Sequence, residues 1–337
     1  MTKATINALV LGAGRFGRHY VRILAQLNSR QYAALPQIAK LIVTRTTQAG
    51  AREVVDTVEN GLQSSVEAVI AEKVADDEDL NRLLKRYRPG FIAIAARDRT
   101  AGDSIHGRYA RIALSYGAVL CEKPFMPARG DGASLAALQS LKAKQYPHRL
   151  GLELPMAVVD KQMRKDPDIA KALHNSGSIR FIWESAVRGS VDLVDDLVLH
   201  PWSLLASEYD VRFTNILNRG NRADIQLQLT SLDAERRLPC SIQLAKGGQR
   251  RCMSLDNMTL VFKSDGPWVR VFEADGPLKE STARQSLMKS AREVLAVYNP
   301  IEQHIVATLQ HHPIIGLDRI AKSQLLLEHL HGYRKTH

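Results

Sequence analysis

The chain has 337 residues, of which 45% are hydrophobic and 24% are charged. This length suits two domains better than one hydrophobic core, and the composition is typical of a globular protein. The sequence contains no run of about eighteen apolar residues, which excludes a membrane-spanning helix. An apolar N-terminal stretch leads into glycines, a pattern typical of a strand and turn and not of a signal peptide.

The net charge of +11 comes from scattered basic residues, without a long basic run or the spacing of a helix-turn-helix or zinc finger. We therefore expect a basic surface that attracts an anionic cofactor or substrate, with neither nucleic acid nor membrane as a partner. The cysteines, Cys121, Cys240 and Cys252, are far apart and form no CxxC pair. They indicate reduced thiols in a cytoplasmic protein, and no metal site.

The first 154 residues alternate short apolar runs with amphipathic stretches, as βαβ units of a doubly wound parallel sheet do. The predicted strands are Ala8–Leu11, Ala39–Val43, Phe91–Ala96, Ala118–Cys121 and Arg149–Leu154. The predicted helices are Phe16–Leu27, Leu80–Tyr87, Arg108–Tyr116 and Ala133–Lys144. Residues 1–154 are therefore expected to form an α/β domain.

After residue 154 the apolar runs are short and often alternate with polar residues, which predicts a largely antiparallel, half-exposed sheet. The predicted strands are Ile179–Ala186, Val211–Ile216, Ile225–Leu229, Ser241–Leu244, Met258–Phe262 and Trp268–Phe272. Two helices, Ile301–Leu309 and Leu317–Leu330, follow them. We expect residues 155–337 to form a second, α+β domain that binds substrate and mediates oligomerisation.

The motif GAGRFG, residues 12–17, follows the first predicted strand and opens a helix. In this GxGxxG pattern, Gly12 permits a tight turn, Gly14 omits a Cβ that would block a pyrophosphate, and Gly17 allows close helix packing. Amides at the helix start, at Arg15 and Phe16, then face the phosphates. The motif therefore predicts that residues 1–154 are a dinucleotide-binding Rossmann domain.

The end of the second predicted strand distinguishes the two nicotinamide cofactors. NAD-binding domains usually carry an acidic residue there, which holds the ribose 2′-hydroxyl. This strand ends instead in Thr44, Arg45 and Thr46. Because a hydroxyl and a guanidinium suit a 2′-phosphate, Thr44 and Arg45 favour NADP(H), with NAD(H) as the alternative.

Three motifs together resemble the glucose–fructose oxidoreductase, inositol dehydrogenase and rhizopine-catabolism (Gfo/Idh/MocA) family. They are GAGRFG at residues 12–17, CEKPF at residues 121–125, and Asp196-x-x-x-His200. The resemblance covers nearly the whole chain, and the two-domain layout of the family matches the change of pattern near residue 154. It implies an oxidoreductase that moves a hydride to or from a sugar, a cyclitol, or a related carbonyl or imine compound.

The resemblance also implies roles for individual residues. Lys123 would hydrogen-bond the reacting oxygen beside the nicotinamide, where an ammonium stabilises developing negative charge, and Glu122 would fix the turn that aims it. His200 would exchange the proton, because an imidazole titrates near neutrality. Asp196, four residues earlier, would share a helix face with His200. The nicotinamide would then lie between Lys123 and His200.

Three further residues belong to the expected site. Ala95 and Ala96 end the fourth predicted strand and are expected to contact the cofactor. Trp202 follows His200 closely and is expected to line the substrate pocket, with a place in the core as the alternative.

The chain departs from the family pattern at several positions. Val198 stands in place of a glycine, and Ser203 in place of a second polar anchor. The loop after the fourth strand reads AARDRT, residues 95–100, where the family usually has T-P-N, and His106 comes later. Glu153 begins the segment that stands where an arginine motif often lies. The substrate contacts are therefore expected to differ from those of sugar dehydrogenases.

These departures leave a second function open. Lys123 and His200 favour an enzyme, whereas the altered flanking positions favour a catalytically silent protein of the same fold that senses dinucleotides. By analogy with the family, the second domain is expected to form a homodimer or homotetramer.

Overall fold

The computed structural model describes residues 3–30, 32–61, 63–97, 105–143, 148–185, 193–218, 220–232, 236–276, 288 and 291–336. Its chain forms two compact units. The first unit comprises Met1–Pro127, Ser134–Glu153 and Ile301–Ile320, and the second comprises Ala128–Ala133, Leu154–Pro300 and Ala321–His337. The sequence divided the chain once, at residue 154, whereas the structure returns 301–320 to the first unit.

The first unit contains a six-stranded parallel sheet in the order β3-β2-β1-β4-β5-β6. Its strands are β1 (Thr5–Leu11), β2 (Gln37–Arg45), β3 (Ala68–Lys73), β4 (Phe91–Ile94), β5 (Ala118–Glu122) and β6 (Leu150–Glu153). The order reverses between β1 and β4, so the carboxyl ends of these strands border the crevice in which doubly wound sheets bind ligands. The predicted doubly wound sheet is confirmed.

Five helices accompany this sheet: α1 (Gly17–Gln26), α2 (Gln48–Gly61), α3 (Asp77–Tyr87), α4 (His106–Ala113) and α5 (Ala133–Ala143). Helix α1 buries Tyr20, Val21 and Leu24, which recur at helical spacing and lie in the core with the buried β1 strand. Both faces of β1 and β4 are covered, which explains their continuous apolar sequences.

The sequence missed β3 and α2, and it extended β4 too far. Strand β3 lies at the sheet edge and is only half-buried, so its sequence AVIAEK lacks the apolar run of a central strand. Strand β4 ends at Ile94, so Ala95 and Ala96 lie beyond the strand. Helix α4 begins at His106, two residues earlier than predicted.

The second unit contains an eight-stranded sheet in the order β14-β13-β12-β11-β7-β10-β9-β8. Its strands are β7 (Ile179–Ser185), β8 (Tyr209–Asn218), β9 (Arg222–Ser231), β10 (Arg237–Lys246), β11 (Arg251–Ser254), β12 (Met258–Asp265), β13 (Trp268–Asp275) and β14 (Arg292–Tyr298). Only the β7–β10 pairing is parallel among these strands. The predicted largely antiparallel sheet is confirmed, although Ala186 lies outside the described residues.

The remaining helices are α6 (Pro155–Met163), α7 (Pro167–Asn175), α8 (Leu193–Leu197), α9 (Leu199–Ser203), α10 (Pro300–Leu309) and α11 (Leu317–Thr336). Within the described ranges, none of the helices combines the length and apolar character needed to cross a membrane. The three cysteines are buried thiols outside any disulfide.

A buried ion pair attaches the returning segment 301–320 to the first unit. The Glu302 carboxylate, 3% exposed, lies 2.6 Å from the Arg30 guanidinium and accepts a hydrogen bond of 2.8 Å from the Tyr32 hydroxyl. A second ion pair, between Lys142 and Asp318, is largely exposed. Because buried charges depend on their partners far more than exposed ones do, the Glu302 contacts are expected to dominate this attachment.

We predict that Glu302→Ala lowers the stability of the protein by about 3 kcal/mol, because it removes the carboxylate that faces a half-buried guanidinium. Asp318→Ala is the matched control, since it removes a carboxylate from the same segment at an exposed position. Scanning calorimetry should show a clearly lower unfolding temperature for Glu302→Ala and little change for Asp318→Ala. Equal unfolding temperatures for the two variants would contradict the assignment.

Candidate functional site

Two glycines of the motif are required by the packing of the turn. Gly12 has a positive φ of 82°, and a Cβ built on it would lie 2.5 Å from the Ala96 Cα. A Cβ built on Gly17 would lie 2.3 Å from the Gly12 carbonyl oxygen. Both contacts are with backbone atoms, which cannot move aside cheaply. Gly12 and Gly17 therefore allow β1, α1 and the end of β4 to approach closely.

Gly14 is different, because the fold gives no steric reason for a glycine there. The nearest atom to a Cβ built on Gly14 would be the Gly12 carbonyl oxygen, 4.0 Å away. Helix α1 begins nearby at Gly17, with no side-chain cap from Phe16 and no acidic residue in its first turn. The amides at a helix start favour an anion. Gly14 thus leaves open space beside a backbone surface that fits a phosphate.

Thr44 of strand β2 supports the glycine turn through two hydrogen bonds. Its hydroxyl donates to the Val10 carbonyl oxygen (3.0 Å) and accepts from the Gly12 amide (3.3 Å). The side chain is buried, with 1% of its surface exposed. The Thr44 hydroxyl is therefore enclosed between β1 and the glycine turn, and its contact with a 2′-phosphate stays a prediction.

Arg45 and Thr46 remain at the end of β2 as groups suited to an anion. Arg45 is half-buried and forms no ion pair with any described residue. The Thr46 hydroxyl is buried and has no hydrogen-bond partner among the described residues. The nearby Glu72 carboxylate, opposite Thr44 in the β2–β3 pairing, accepts hydrogen bonds from Tyr87 and Arg86 instead.

A basic residue ends or follows each of the first five strands, toward the carboxyl edge of the parallel sheet. They are Arg15, Arg45, Lys73, Arg97 and Lys123. The first four form no ion pair with a described residue. Since the carboxyl ends of parallel strands share one edge, part of the +11 net charge is concentrated where this fold binds its ligands.

Lys123 lies in a buried turn at the end of β5, although lysine is rarely buried. Only 7% of its surface is exposed, and a cis peptide bond joins it to Pro124. His106 supports this turn, because its Nδ1 donates a hydrogen bond of 2.9 Å to the Pro124 carbonyl oxygen. Burial, together with the positive charges of Arg97 and Lys123, lowers the pKa of His106 to about 4. His106 is therefore a neutral structural support near pH 7.

Ala95 and Ala96 lie beside the glycine turn, as expected for residues that border a cofactor. The Ala95 amide donates to the Leu11 carbonyl oxygen (2.8 Å), and the Ala96 backbone lies against Gly12. The rest of the altered loop, residues 98–100, lies outside the described residues, so its predicted difference from the family pattern stays a prediction.

In the second unit, His200 lies on a nearly continuous helical segment formed by α8 and α9. The Val198 amide bonds the Val194 carbonyl oxygen, and the Trp202 amide bonds the Val198 carbonyl oxygen, so helical bonding continues through the junction. Asp196 and His200 are therefore one helical turn apart, which is the predicted arrangement.

Two residues contact this segment that the sequence did not indicate. The His200 ring stacks on Trp183 of β7, with ring centroids 5.8 Å apart and planes within 10°. Asp195, beside Asp196, forms an ion pair of 2.7 Å with His331. Trp183 and His331 are distant in sequence from the residues that they contact, so no local pattern could have predicted either contact.

Trp202 belongs to the core of the second unit. Its side chain is fully buried, at 0% exposure, which agrees with the alternative that Trp202 lies in the core, and its contact with substrate stays a prediction. The helical turn that presents His200 at the surface of the segment directs Trp202 inward, because the two residues are only two positions apart. Val198 and Ser203 are buried as well.

Comparisons with known proteins identify the fold. Neither a scan of protein-family models nor a search of curated proteins gives a match. An NAD-binding oxidoreductase from Klebsiella pneumoniae is 11% identical, with 99% of this chain and 98% of that chain covered and a TM-score of 0.61. An oxidoreductase domain protein from Kribbella flavida is 10% identical, with 98% of each chain covered and a TM-score of 0.64.

Levoglucosan dehydrogenase in complex with NADH is also similar. It is 11% identical, with 97% of this chain and 98% of that chain covered, and the TM-score is 0.63. The chain therefore shares the fold of these oxidoreductases along almost its entire length. The fold implied by the resemblance is confirmed, whereas similarity at this low identity does not establish activity or substrate.

Proposed function

We propose that this protein is an NADP(H)-dependent oxidoreductase that transfers a hydride to or from a small polar substrate. The substrate class is a sugar, a cyclitol, or a related carbonyl or imine compound. The observation that carries the proposal is the open space at Gly14, which lies between two glycines that packing requires and beside an uncapped helix start. A pyrophosphate fits the open space and the uncapped helix start, whereas the packing of the fold requires neither of them.

Positive charge at the carboxyl edge of the sheet supports NADP(H) over NAD(H). Arg45 and the buried Thr46 hydroxyl would hold the 2′-phosphate, and Lys73 aligns with Arg45 in the β2–β3 pairing. The carboxylate nearest in this pairing, Glu72, is already hydrogen-bonded by Arg86 and Tyr87. A guanidinium contributes more binding free energy when it contacts a dianionic phosphate than when it contacts a neutral hydroxyl. The NADH complex of levoglucosan dehydrogenase makes NADH the natural competitor in binding assays.

The proposed chemistry divides between Lys123 and His200. When bound, the nicotinamide would donate or accept the hydride. Lys123 would hydrogen-bond the reacting oxygen or nitrogen and supply its proton, because an ammonium stabilises the negative charge that develops there. His200, supported by its stack on Trp183, would exchange a proton with the substrate, with Asp196 on the same helical turn.

Loss of NADPH absorbance with a panel of ketoses, inososes and cyclic imines tests turnover.

We predict that Gly14→Ala weakens NADPH binding by about tenfold or more, since a Cβ there would enter the proposed phosphate site. The fold should tolerate the change, because the nearest atom to the new Cβ is 4.0 Å away. Fluorescence titration measures the dissociation constant, and thermal unfolding measures stability.

Two glycine variants are the controls. Gly17→Ala should lower stability because of its 2.3 Å contact with the Gly12 carbonyl oxygen. Gly332→Ala meets no atom within 4 Å, so it should leave NADPH binding unchanged and should not lower stability. Undiminished NADPH binding by a folded Gly14→Ala protein would refute the proposed phosphate site.

A second variant tests the choice of cofactor. Arg45→Gln should weaken NADPH binding about tenfold and leave NADH binding nearly unchanged, because only NADPH carries the 2′-phosphate. Lys40→Gln is the matched control, since it removes one exposed positive charge from the same strand. If Arg45→Gln weakened the two cofactors equally, or Lys40→Gln had the same effect, Arg45 would not be the residue that selects NADP(H).

A further inference from the structure

Two glutamates lie side by side at the buried ends of β5 and β6. Glu122 and Glu153 are direct partners in the parallel pairing, as are Leu120 and Gly151 two residues earlier. Because side chains alternate along a strand, all four occupy the same face of the sheet. Glu122 is 8% exposed and Glu153 only 2% exposed. One carboxylate oxygen of Glu153, Oε1, is buried without a hydrogen-bond partner among the described residues.

Helices α1 and α10 cover this face and supply the other titratable groups. Tyr20 of α1 is fully buried, and both Glu153 and Glu122 raise the pKa of its phenol, whose hydroxyl also lacks a described partner. The Thr308 hydroxyl of α10 lies 2.8 Å from a Cβ built on Gly151. Buried His304 lies one turn earlier on α10 than Thr308. The Glu302 carboxylate of the same helix is held by Arg30 and Tyr32.

Lys123, which directly follows Glu122, brings a single positive charge to the two carboxyl groups. The cost of burying a net charge is large, so one ammonium can balance one carboxylate while the other carboxyl keeps its proton. Burial and the negative charge of Glu122 raise the pKa of Glu153, and the positive charge of Lys123 opposes the rise, so that the pKa lies at about 8. The proton therefore belongs to Glu153 at neutral pH.

We propose that Glu153 is a positioning residue that stores a proton and resupplies Lys123. During reduction of a carbonyl, the carbon receives the hydride and the oxygen takes a proton from the Lys123 ammonium, leaving a neutral amine. The Glu153 O–H bond then breaks as a new N–H bond forms at Lys123, and the Glu153 carboxylate regains a proton from water. Oxidation runs through the same steps in reverse.

The role of Glu153 rests on the proposed function, but its protonation can be tested on the free protein. Difference infrared spectra between wild type and Glu153→Gln should show a protonated-carboxyl band at pH 7 that disappears as pH rises above about 8, the pKa of Glu153. Absence of this band at pH 7 would overturn the inference. NADPH binding is measured separately. If the infrared band is present but NADPH does not bind, the proposed function fails while the protonation of Glu153 stands.

Kinetics distinguish a proton store from a structural carboxyl. In wild type, the kcat of reduction should fall as pH rises through about 8. Glu153→Gln should lower kcat by about tenfold or more at pH 7, lose this pH dependence, and increase the solvent deuterium isotope effect. Its NADPH affinity should be unchanged, and Glu153→Asp should restore the pH dependence in part.

Asp160→Asn provides the matched control, because Asp160 is another buried carboxyl whose pKa is raised by burial, in the second unit. It should leave the shape of the pH profile unchanged. If Glu153→Gln kept the wild-type pH profile and isotope effect while the infrared band was present, Glu153 would be structural and the proposal would be wrong.

Discussion

The close approach of three backbone segments at the glycine turn determines what the first unit can bind. Gly12 lies against the backbone of Ala96, and Gly17 lies against the Gly12 carbonyl oxygen, so strand β1, helix α1 and the end of β4 meet without side chains between them. Thr44 fixes the turn from β2 through two hydrogen bonds. With these contacts made, the space at Gly14 is left for a ligand, and basic residues end or follow β1 to β5 at the same carboxyl edge of the sheet.

The buried charges near Lys123 lie at the same carboxyl edge of the parallel sheet. Parallel pairing places Glu122 and Glu153 next to each other, and the turn after β5 adds one lysine. An interior with low dielectric penalises any net charge, so the protonation of this cluster must adjust to the number of positive groups present. Neutral His106 supports the turn through the Pro124 carbonyl oxygen without adding charge. Proton chemistry at Lys123 would then depend on carboxyl groups that solvent barely reaches.

Local patterns in the sequence predicted those features of the structure that depend on residues close together in the chain. The GxGxxG turn, the parallel and antiparallel sheets and the Asp196–His200 spacing were all predicted, because turn chemistry and periodicity specify them. The burial of Thr44 was missed because it depends on the β1–β2 register. For Trp202 the sequence left both the pocket and the core open, because its burial depends on the orientation of a short helical segment. Stacking of Trp183 on His200, and the return of 301–320 through Glu302, involve contacts between distant residues that no local pattern encodes.

The most direct test of the account is hydrogen exchange of the full-length protein with and without saturating NADPH. If the glycine turn binds the pyrophosphate, exchange of the backbone amides in residues 15–17 should slow markedly, because those amides would donate to phosphate oxygens. Unchanged exchange throughout this segment, despite saturating NADPH, would contradict the central claim.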